Sequence, residues 1–526
     1  MTAYNQGGGA KPAKWRQPAG APSLAGMNAP SPSITKVSGG SVSGTVADGV
    51  ARYLSIPYAA NPVGALRFRA PQAHAGWEGV REALTPGPSA PQHTPPATRL
   101  PGLDISPLSA SPWELGRDYL TVNVWAPEPA ATGLPVMVFL HGGAFLLGGK
   151  DAALYDGASF ARGGVVLVTV VYRMGLEGFV PIPGGDSNLG LRDQIAALAW
   201  VRDNAAAFGG DPANVTVFGE SAGAMSVADL IASPLAEGLF RRAIVQSGHG
   251  DLVRSEGAAR KLTDLIARKL GVAPTAEGLG SRTIEEGLAA VEWAALPNTR
   301  VDLRERNGRD KTYGLSKFIP VVGDEVLPEV PTQALKAGAG AKIDLLIGTN
   351  RDEMNLYLVP TGVRDKLKPM LAWFLLSQVQ PKARAILKAY GLGKKGRKAG
   401  DVYGEAVSDL MFRWPARLFA EAHRGRTHVY EFDWRSPACN GELGACHGLE
   451  LGFVFNTLAC VTGPEGMAGE APPQDLADRM HQLWIDFARD GSAPWPEYSA
   501  SDRQVYSIAR GQAAAEPPAA VAPFLT

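Results

Sequence analysis

The stretch Gly219-Glu-Ser221-Ala-Gly223 sets a serine between glycines two positions to either side. A sharp strand-to-helix turn requires that spacing, because side chains at the flanking positions collide where the backbone is strained. A β-branched run at 215–218 precedes the motif and a helical pattern begins at Ala222. Such a turn lifts the Ser221 hydroxyl into the open, and the helix N-terminus brings free N–H groups and positive dipole to the place where an oxyanion forms. Ala222 N–H is therefore an expected oxyanion donor. A second motif, His141-Gly-Gly-Ala-Phe145, directly follows the apolar run 136–140. Small residues there let backbone N–H groups approach a tetrahedral intermediate, and Gly143 and Ala144 are the natural donors beside Ala222. The chemistry these two motifs suit is nucleophilic acyl transfer.

A serine hydroxyl is a weak nucleophile until a base takes its proton, and a carboxylate must hold that base in the right tautomer. Among the eight histidines, His447 is the best base, in a turn-like segment after the strand pattern 428–432. His481 falls within a C-terminal helical pattern and reads as a half-buried helix residue, whereas His141 reads as scaffold of the glycine loop. For the acid, the strand pattern 343–347 runs into Gly348-Thr-Asn-Arg-Asp352-Glu353. Residue chemistry alone leaves Asp352 and Glu353 tied.

The elements that must position these groups are short β-branched runs separated by helical patterns. Strands are predicted at 120–125, 136–140, 165–171, 215–218, 242–246, 343–347 and 428–432, with helices at 191–208 and 222–231. Strands alternating with helices imply a mostly parallel sheet covered on both faces, a doubly wound α/β core. Alternation broken by Gly39-Gly40 and Asp48-Gly49 predicts a small antiparallel β unit over 34–59. Residues 1–32, rich in Gly, Ala and Pro, read as a flexible tail without the apolar stretch of a signal peptide. Residues 33–526 read as one domain. Helical excursions near 251–330 and 363–426 fit caps above the site, and an amphipathic helix over 475–490 closes the core. Gly391-Leu-Gly-Lys-Lys-Gly396 matches a dinucleotide fingerprint but follows a helical pattern when such a motif must follow a strand, so it is taken as a solvated loop.

Composition narrows the function classes. The chain has 526 residues, 51 Lys+Arg against 51 Asp+Glu, and 45% hydrophobic residues, the profile of a globular protein with a large core. With zero formal net charge, neither nucleic acid nor an anionic membrane is an expected partner. No apolar run approaches the ~20 residues that cross a bilayer. No His or Cys spacing suits zinc, so no metal and no cofactor are expected. The three cysteines, Cys439, Cys446 and Cys460, read as idle thiols, although a Cys439–Cys446 bridge is conceivable.

Taken in order, Ile56-Pro-Tyr-Ala59, Leu66-Arg-Phe68, Leu120-Thr-Val-Asn-Val-Trp125, the His141 motif, Asn188-Leu-Gly-Leu-Arg-Asp-Gln194, the Ser221 motif, Gln246-Ser-Gly248, Gly348-Thr-Asn-Arg-Asp-Glu353 and Cys446-His-Gly-Leu-Glu-Leu451 resemble the type-B carboxylesterase/lipase family. The resemblance implies an α/β-hydrolase fold, a bacterial-type esterase and a catalytic triad of Ser221, Glu353 and His447, which breaks the tie in favour of the glutamate. It also implies that Glu220, Ser247 and Glu450 form a buried polar group behind the triad. The expected reaction is hydrolysis of small to medium carboxylic esters through an acyl-enzyme. A carbamate, aryl ester, lactone or natural-product ester is the alternative substrate class, and a non-catalytic binding module the remote one.

Some positions depart from the family pattern. Secreted relatives pair two cysteines where this chain has Ala90 and Tyr119, which with the other features points to a cytoplasmic enzyme. Arg117-Asp118 replaces a Glu-Asp pair whose ion pair with the equivalent of Arg67 is expected to be lost unless Asp118 substitutes. Met354 follows the acid in place of the usual glycine. Ala144 replaces the third glycine found in many relatives, and the Gly-Gly-Ala pattern implies a roomy alcohol pocket open to tertiary-alcohol esters. The oligomeric state is not legible.

Overall fold

The segment Leu134–Leu140 shows how this sequence builds its centre: Val136, Val138 and Leu140 join one apolar core while Met137 and Phe139 join the other. Side chains alternate across a strand, so a run apolar at every position belongs in a sheet buried on both faces. In the computed structural model, which describes residues 31–92 and 99–525, that strand lies in the middle of a thirteen-stranded sheet. We number the strands β1 (Ser31–Val37), β2 (Gly40–Ala47), β3 (Val50–Pro57), β4 (Thr121–Pro127), β5 (Leu134–Leu140), β6 (Val166–Val170), β7 (Gly210–Glu220), β8 (Arg242–Gln246), β9 (Asp344–Asn350), β10 (Thr427–Phe432), β11 (Gln504–Ser507) and β12 (Gln512–Ala515). The spatial order is β1-β2-β3-β4-β6-β5-β7-β8-β9-β10-β11-β12, with the short strand Val80–Glu82 beside β2. From β6 to β11 every neighbouring pair is parallel, and antiparallel pairs flank that block on both sides.

The chain passes from β5 to β6 on one side and then crosses back to β7 on the other. Loops leaving the carboxyl ends of β5 and β7 therefore diverge and open a crevice, the usual ligand position in an open parallel sheet. Leu140 of β5 is in register with Gly219 of β7, so the His141 and Ser221 motifs emerge side by side.

The helices used below are α1 (Leu189–Asn204), α2 (Ala222–Ala232), α3 (Glu256–Leu270), α4 (Ile284–Ala295), α5 (Pro369–Ser377), α6 (Ala383–Ala389), α7 (Ala399–Ser408), α8 (Trp414–Ala422) and α9 (Gln474–Asp490). Leu191, Leu198 and Val201 of α1 and Ala224 and Val227 of α2 pack into one core. Leu476, Met480, Trp484 and Phe487 of α9, at three- and four-residue spacing, pack into the other. Helices thus cover both faces, as the alternation of patterns predicts. Arg173 and Asp193, both fully buried, join at 2.7 Å between the chain after β6 and α1. This ion pair fixes α1 against the sheet.

Several expectations need correction. Strand β1 begins at Ser31, so a strand starts before the predicted tail ends; the rest of the tail lies outside the described residues. Strands β11 and β12 were not predicted, because each is only four residues long and β12, Gln-Ala-Ala-Ala, carries no β-branched residue. The 251–330 excursion holds α3 and α4 but also the strand pair Arg254–Ser255 with Val321–Val322. The 363–426 excursion is helical, and a π-turn at Asp409–Arg413 joins α7 to α8. Gly391 to Gly396 follow α6 and not a strand, in keeping with the rejected dinucleotide reading.

Candidate active site

Ser221 sits between β7 and α2 with φ 56 and ψ −122, a backbone conformation that side chains rarely adopt. Its flanking glycines are forced by packing. A Cβ on Gly223 would lie 1.9 Å from Leu140 O, and one on Gly219 would lie 2.6 Å from the backbone of Gly223. Ser221 N–H donates to Gln246 O at 3.0 Å, which ties the turn to β8.

The loop after β5 is strained in the same sense, with φ of 116 at Gly143 and 57 at Ala144. A Cβ on Gly143 would stand 2.0 Å from Leu147 O, so the loop cannot close around a larger residue. Among the described residues, the N–H groups of Gly143, Ala144 and Ala222 donate to no other group of the protein. His141 supports this loop from below. Its ring stacks on Tyr172 at 4.4 Å, its Nδ1 lies 2.8 Å from Gly142 O, and Tyr172 Oη donates to His141 O at 2.6 Å. Burial pushes its pKa down to about 4, so it is a neutral donor and not a base near neutrality.

His447 Nδ1 lies 2.7 Å from Glu353 Oε2, both groups buried. Glu353 Oε1 accepts the Asn350 N–H at 2.8 Å, so each carboxylate oxygen has a fixed partner. Asp352 points elsewhere, its Oδ2 accepting from Arg435 at 2.8 Å and from Ala445 N–H at 3.0 Å. The two carboxylates that the sequence leaves tied are thus separated by geometry. His481 is remote, with Nδ1 at 2.7 Å from Val454 O and its ring against Phe160.

Glu220 is not behind this group. Its Oε1 stands 3.2 Å from His447 Nε2, the nitrogen that faces the cavity, without hydrogen-bond alignment. The bare Cα of Gly142 makes this placement feasible, since a Cβ there would come within 2.7 Å of Glu220 Oε2. Among the described residues no hydrogen bond joins Ser221 Oγ to His447 Nε2. Catalytic hydrogen bonds of this kind often tighten only when substrate is bound. Ser221, His447, Glu220, Gly143 and Ala144 nevertheless line one cavity of about 330 Å³, walled by Leu108, Leu147, Leu356 and Tyr357.

Burial works to lower the pKa of His447, but the Glu220 charge and the Glu353 hydrogen bond outweigh it and raise the value to about 9. Burial raises Glu220 to about 8, with His447 pulling it back. Glu450 is raised to about 7, by burial and then by the Glu353 charge. The site thus holds three carboxylates around one imidazole. Glu450 accepts from Asn350 Nδ2 at 2.5 Å and from Gln246 Nε2 at 3.3 Å. Ser247 is buried beside them with its hydroxyl unpartnered.

Sequence reasoning gave Asn350 no role, yet it bonds Glu353, Glu450 and the Cys446 carbonyl, at 2.7 Å for the last. Its place three residues before the acid, at the end of a buried strand, was the available signal. Phe412, delivered by the π-turn, packs on the His447 ring at 4.9 Å. That contact depends on a break in helical period that no pattern reading contained.

The departures resolve as follows. Arg67 is not orphaned, and Asp118 does not rescue it: Glu177 pairs with it at 2.7 Å, while Asp118 lies 3.7 Å from His74. Ala90 and Tyr119 are both buried in the core. All three cysteines are free, so Cys439 and Cys446 do not pair. Among the described residues no cluster of His, Cys, Asp or Glu is arranged to hold a metal ion, and no helix is long and apolar enough to cross a membrane.

Comparison with known proteins gives a consistent result. The carboxylesterase family model matches residues 31–521. A para-nitrobenzyl esterase of Bacillus subtilis (strain 168) is 37% identical over 494 residues, covering 88% of this chain and 92% of that protein. A phenmedipham hydrolase of Pseudarthrobacter oxydans is 33% identical, covering 90% of this chain and 94% of that one. The crystal structure of a Geobacillus stearothermophilus carboxylesterase superposes with a TM-score of 0.77 at 34% identity, covering 92% of this chain and 98% of that one.

Proposed function

The chain belongs to the carboxylesterase family and is a carboxylic ester hydrolase, and from that premise we propose that Ser221, His447 and Glu353 are its nucleophile, base and orienting acid. The strained Ser221 turn, opening with three free N–H donors onto the cavity that His447 also lines, is the observation that carries this reading. Ser221 Oγ attacks the ester carbonyl while His447 Nε2 takes its proton. The amides of Gly143, Ala144 and Ala222 hold the oxyanion, each such donor contributing about 3 kcal/mol to the barrier reduction. His447 then protonates the departing alcohol, and water repeats the sequence on the acyl-enzyme. Glu353 holds the Nδ1 proton throughout and stabilises the imidazolium.

Substrate selection is assigned to the cavity walls, to which the 251–330 excursion contributes Leu288 and Val291. A second, apolar cavity of about 230 Å³, lined by Leu146, Met174, Leu176, Leu288 and Val291, shares Gln92 and Leu147 with the first. Together they suit an ester with one extended apolar group, of small to medium size, and para-nitrobenzyl esters are natural first probes given the Bacillus subtilis relative. Ala144 leaves space on the alcohol side for a tertiary alcohol. An intracellular setting goes with this reading, supported by cysteines that stay unpaired.

Para-nitrophenyl esters of increasing acyl length test the proposal. Turnover abolished by a serine-directed organophosphate is expected, with an optimum at short to medium chains. Hydrolysis that resists the organophosphate would remove Ser221 from the mechanism, and ethyl esters turned over without any tert-butyl ester would remove the tertiary-alcohol assignment.

The carboxylate at His447 Nε2 sets the pH dependence. The base must be neutral to accept a proton, so a His447 pKa raised to about 9 places the acid limb of kcat/KM on the alkaline side of an ordinary histidine. Glu220→Gln removes one of the charges that hold the pKa up. The acid limb is expected to move to lower pH, and an unmoved limb in the pH–rate profile would show that Glu220 does not act on the base.

A further inference from the structure

A formal net charge of zero conceals a local imbalance. Between residues 366 and 398 the chain carries nine Lys or Arg and no Asp or Glu. The same stretch contains α5, whose sequence Pro-Met-Leu-Ala-Trp-Phe-Leu-Leu-Ser is apolar around most of its circumference. Only Ala372 and Leu376, one turn apart, face the interior; Met370 is 77% exposed, Phe374 51% and Trp373 43%. A helix ordinarily buries its large apolar residues, and α5 leaves five of its six exposed, with only Leu376 inside.

The basic residues border this apolar face. A groove along α5 is formed by Pro369, Met370 and Trp373 on one side and by Arg384, Lys388 and Leu392 on the other. Lys368 precedes the helix, and Lys394 and Lys395 continue from the groove's end at Gly393. Among the described residues Lys368, Lys382, Arg384, Lys388, Lys394 and Lys395 are exposed and join no ion pair; at the margin, Lys398 meets Asp365 at 3.4 Å and Arg397 meets Glu405.

We propose that this face, α5 with the lysines and arginines of α6 and the loop after it, docks peripherally on an anionic lipid surface. Met370, Leu371, Trp373, Phe374 and Leu375 enter the boundary between headgroups and acyl chains while the basic rim meets the headgroup phosphates. Aromatic and long aliphatic side chains suit that depth, and cationic side chains are attracted to the surface potential above it. Charge decides between this occupant and a second copy of the chain, because pairing the two faces would set six unpaired cations against six. It is a peripheral contact, since no described helix is able to span. The docking face connects to the substrate cavity through α7, which packs on α5 and whose Ser408 Oγ accepts the Met354 N–H at 3.2 Å, two residues before the cavity-lining Leu356.

Co-sedimentation of the full chain with phosphatidylcholine vesicles, with and without about 30% phosphatidylglycerol, tests this. Binding to the anionic vesicles is expected to be at least about tenfold stronger than to neutral ones, and to be lost in about 0.5 M NaCl. Trp373→Ser with Phe374→Ser, and separately Lys394→Glu with Lys395→Glu, should each weaken it about tenfold or more while turnover of a soluble para-nitrophenyl ester stays unchanged. Equal binding to both vesicle types, no binding to either, or binding that both variants retain would overturn the proposal. A dimer in gel filtration without lipid, dissociated by the Trp373→Ser/Phe374→Ser variant, would overturn it in favour of self-association. Ester turnover in the unmodified enzyme is read separately, so failure of docking leaves the esterase assignment standing.

Discussion

Replacing Ser221 with alanine is expected to lower kcat on a para-nitrophenyl ester by roughly 100,000-fold or more, with thermal stability close to that of the parent. The side chain lost is one hydroxyl at the mouth of a cavity, and alanine keeps the Cβ that already occupies the strained φ of 56. The turn is held by backbone, through Ser221 N–H on Gln246 O and the Met225 N–H on Ser221 O at 2.9 Å. Neither contact uses the hydroxyl. The amides of Gly143, Ala144 and Ala222 remain, so a residual acceleration over water persists. Labelling by an organophosphate should vanish with activity. Retention of more than about one-tenth of kcat would require a different nucleophile, because removing a true nucleophile from such a unit costs far more.

Glu353→Gln carries the second large effect, and its direction follows from two hydrogen bonds. The carboxylate accepts from His447 Nδ1 with one oxygen and from the Asn350 N–H with the other. An amide has only one acceptor. If its oxygen keeps Asn350, its NH2 group faces His447 Nδ1, and the imidazole proton must move to Nε2, where no proton can then be taken from Ser221. If its oxygen instead keeps His447, the NH2 group opposes the Asn350 N–H inside a fully buried site. A wrong tautomer in the equivalent arrangement lowers kcat by roughly 10,000-fold, and a loss of that order is expected here with the fold retained. Loss of less than about tenfold would place the orienting acid elsewhere. Glu220 and Glu450 are the other carboxylates acting on His447, and a double variant with Glu220→Gln would tell whether one of them takes over.

These two effects rest on residues that the sequence already presents as a set. Two glycine-framed motifs, each following a strand, mark the proposed nucleophile and oxyanion donors, because a Cβ at Gly143, Gly219 or Gly223 would collide with neighbouring backbone. The seven predicted strands all exist, and they are buried along nearly all of their predicted length. Chain order spoke against His141, which precedes Ser221, and the C-terminal helical pattern spoke against His481.

What the sequence left open was decided by distance. Asp352 and Glu353 are adjacent, chemically alike and equally placed after a strand; only the course of the chain around residues 445–447 brings one to His447 and the other to Arg435. The partner of Arg67 was sought at Asp118, close to the family position, whereas Glu177 fills that role from a short helix 110 residues away. Asn350, Phe412 and the cavity-side carboxylate of Glu220 became visible in the same way. Periodicity and motif spacing record what a residue needs of its immediate neighbours, and so they specify strained turns, strands and helices well. Ion pairs, tautomer-fixing hydrogen bonds and an exposed apolar helix beside a basic rim arise between segments remote in sequence, and only packing brings those together.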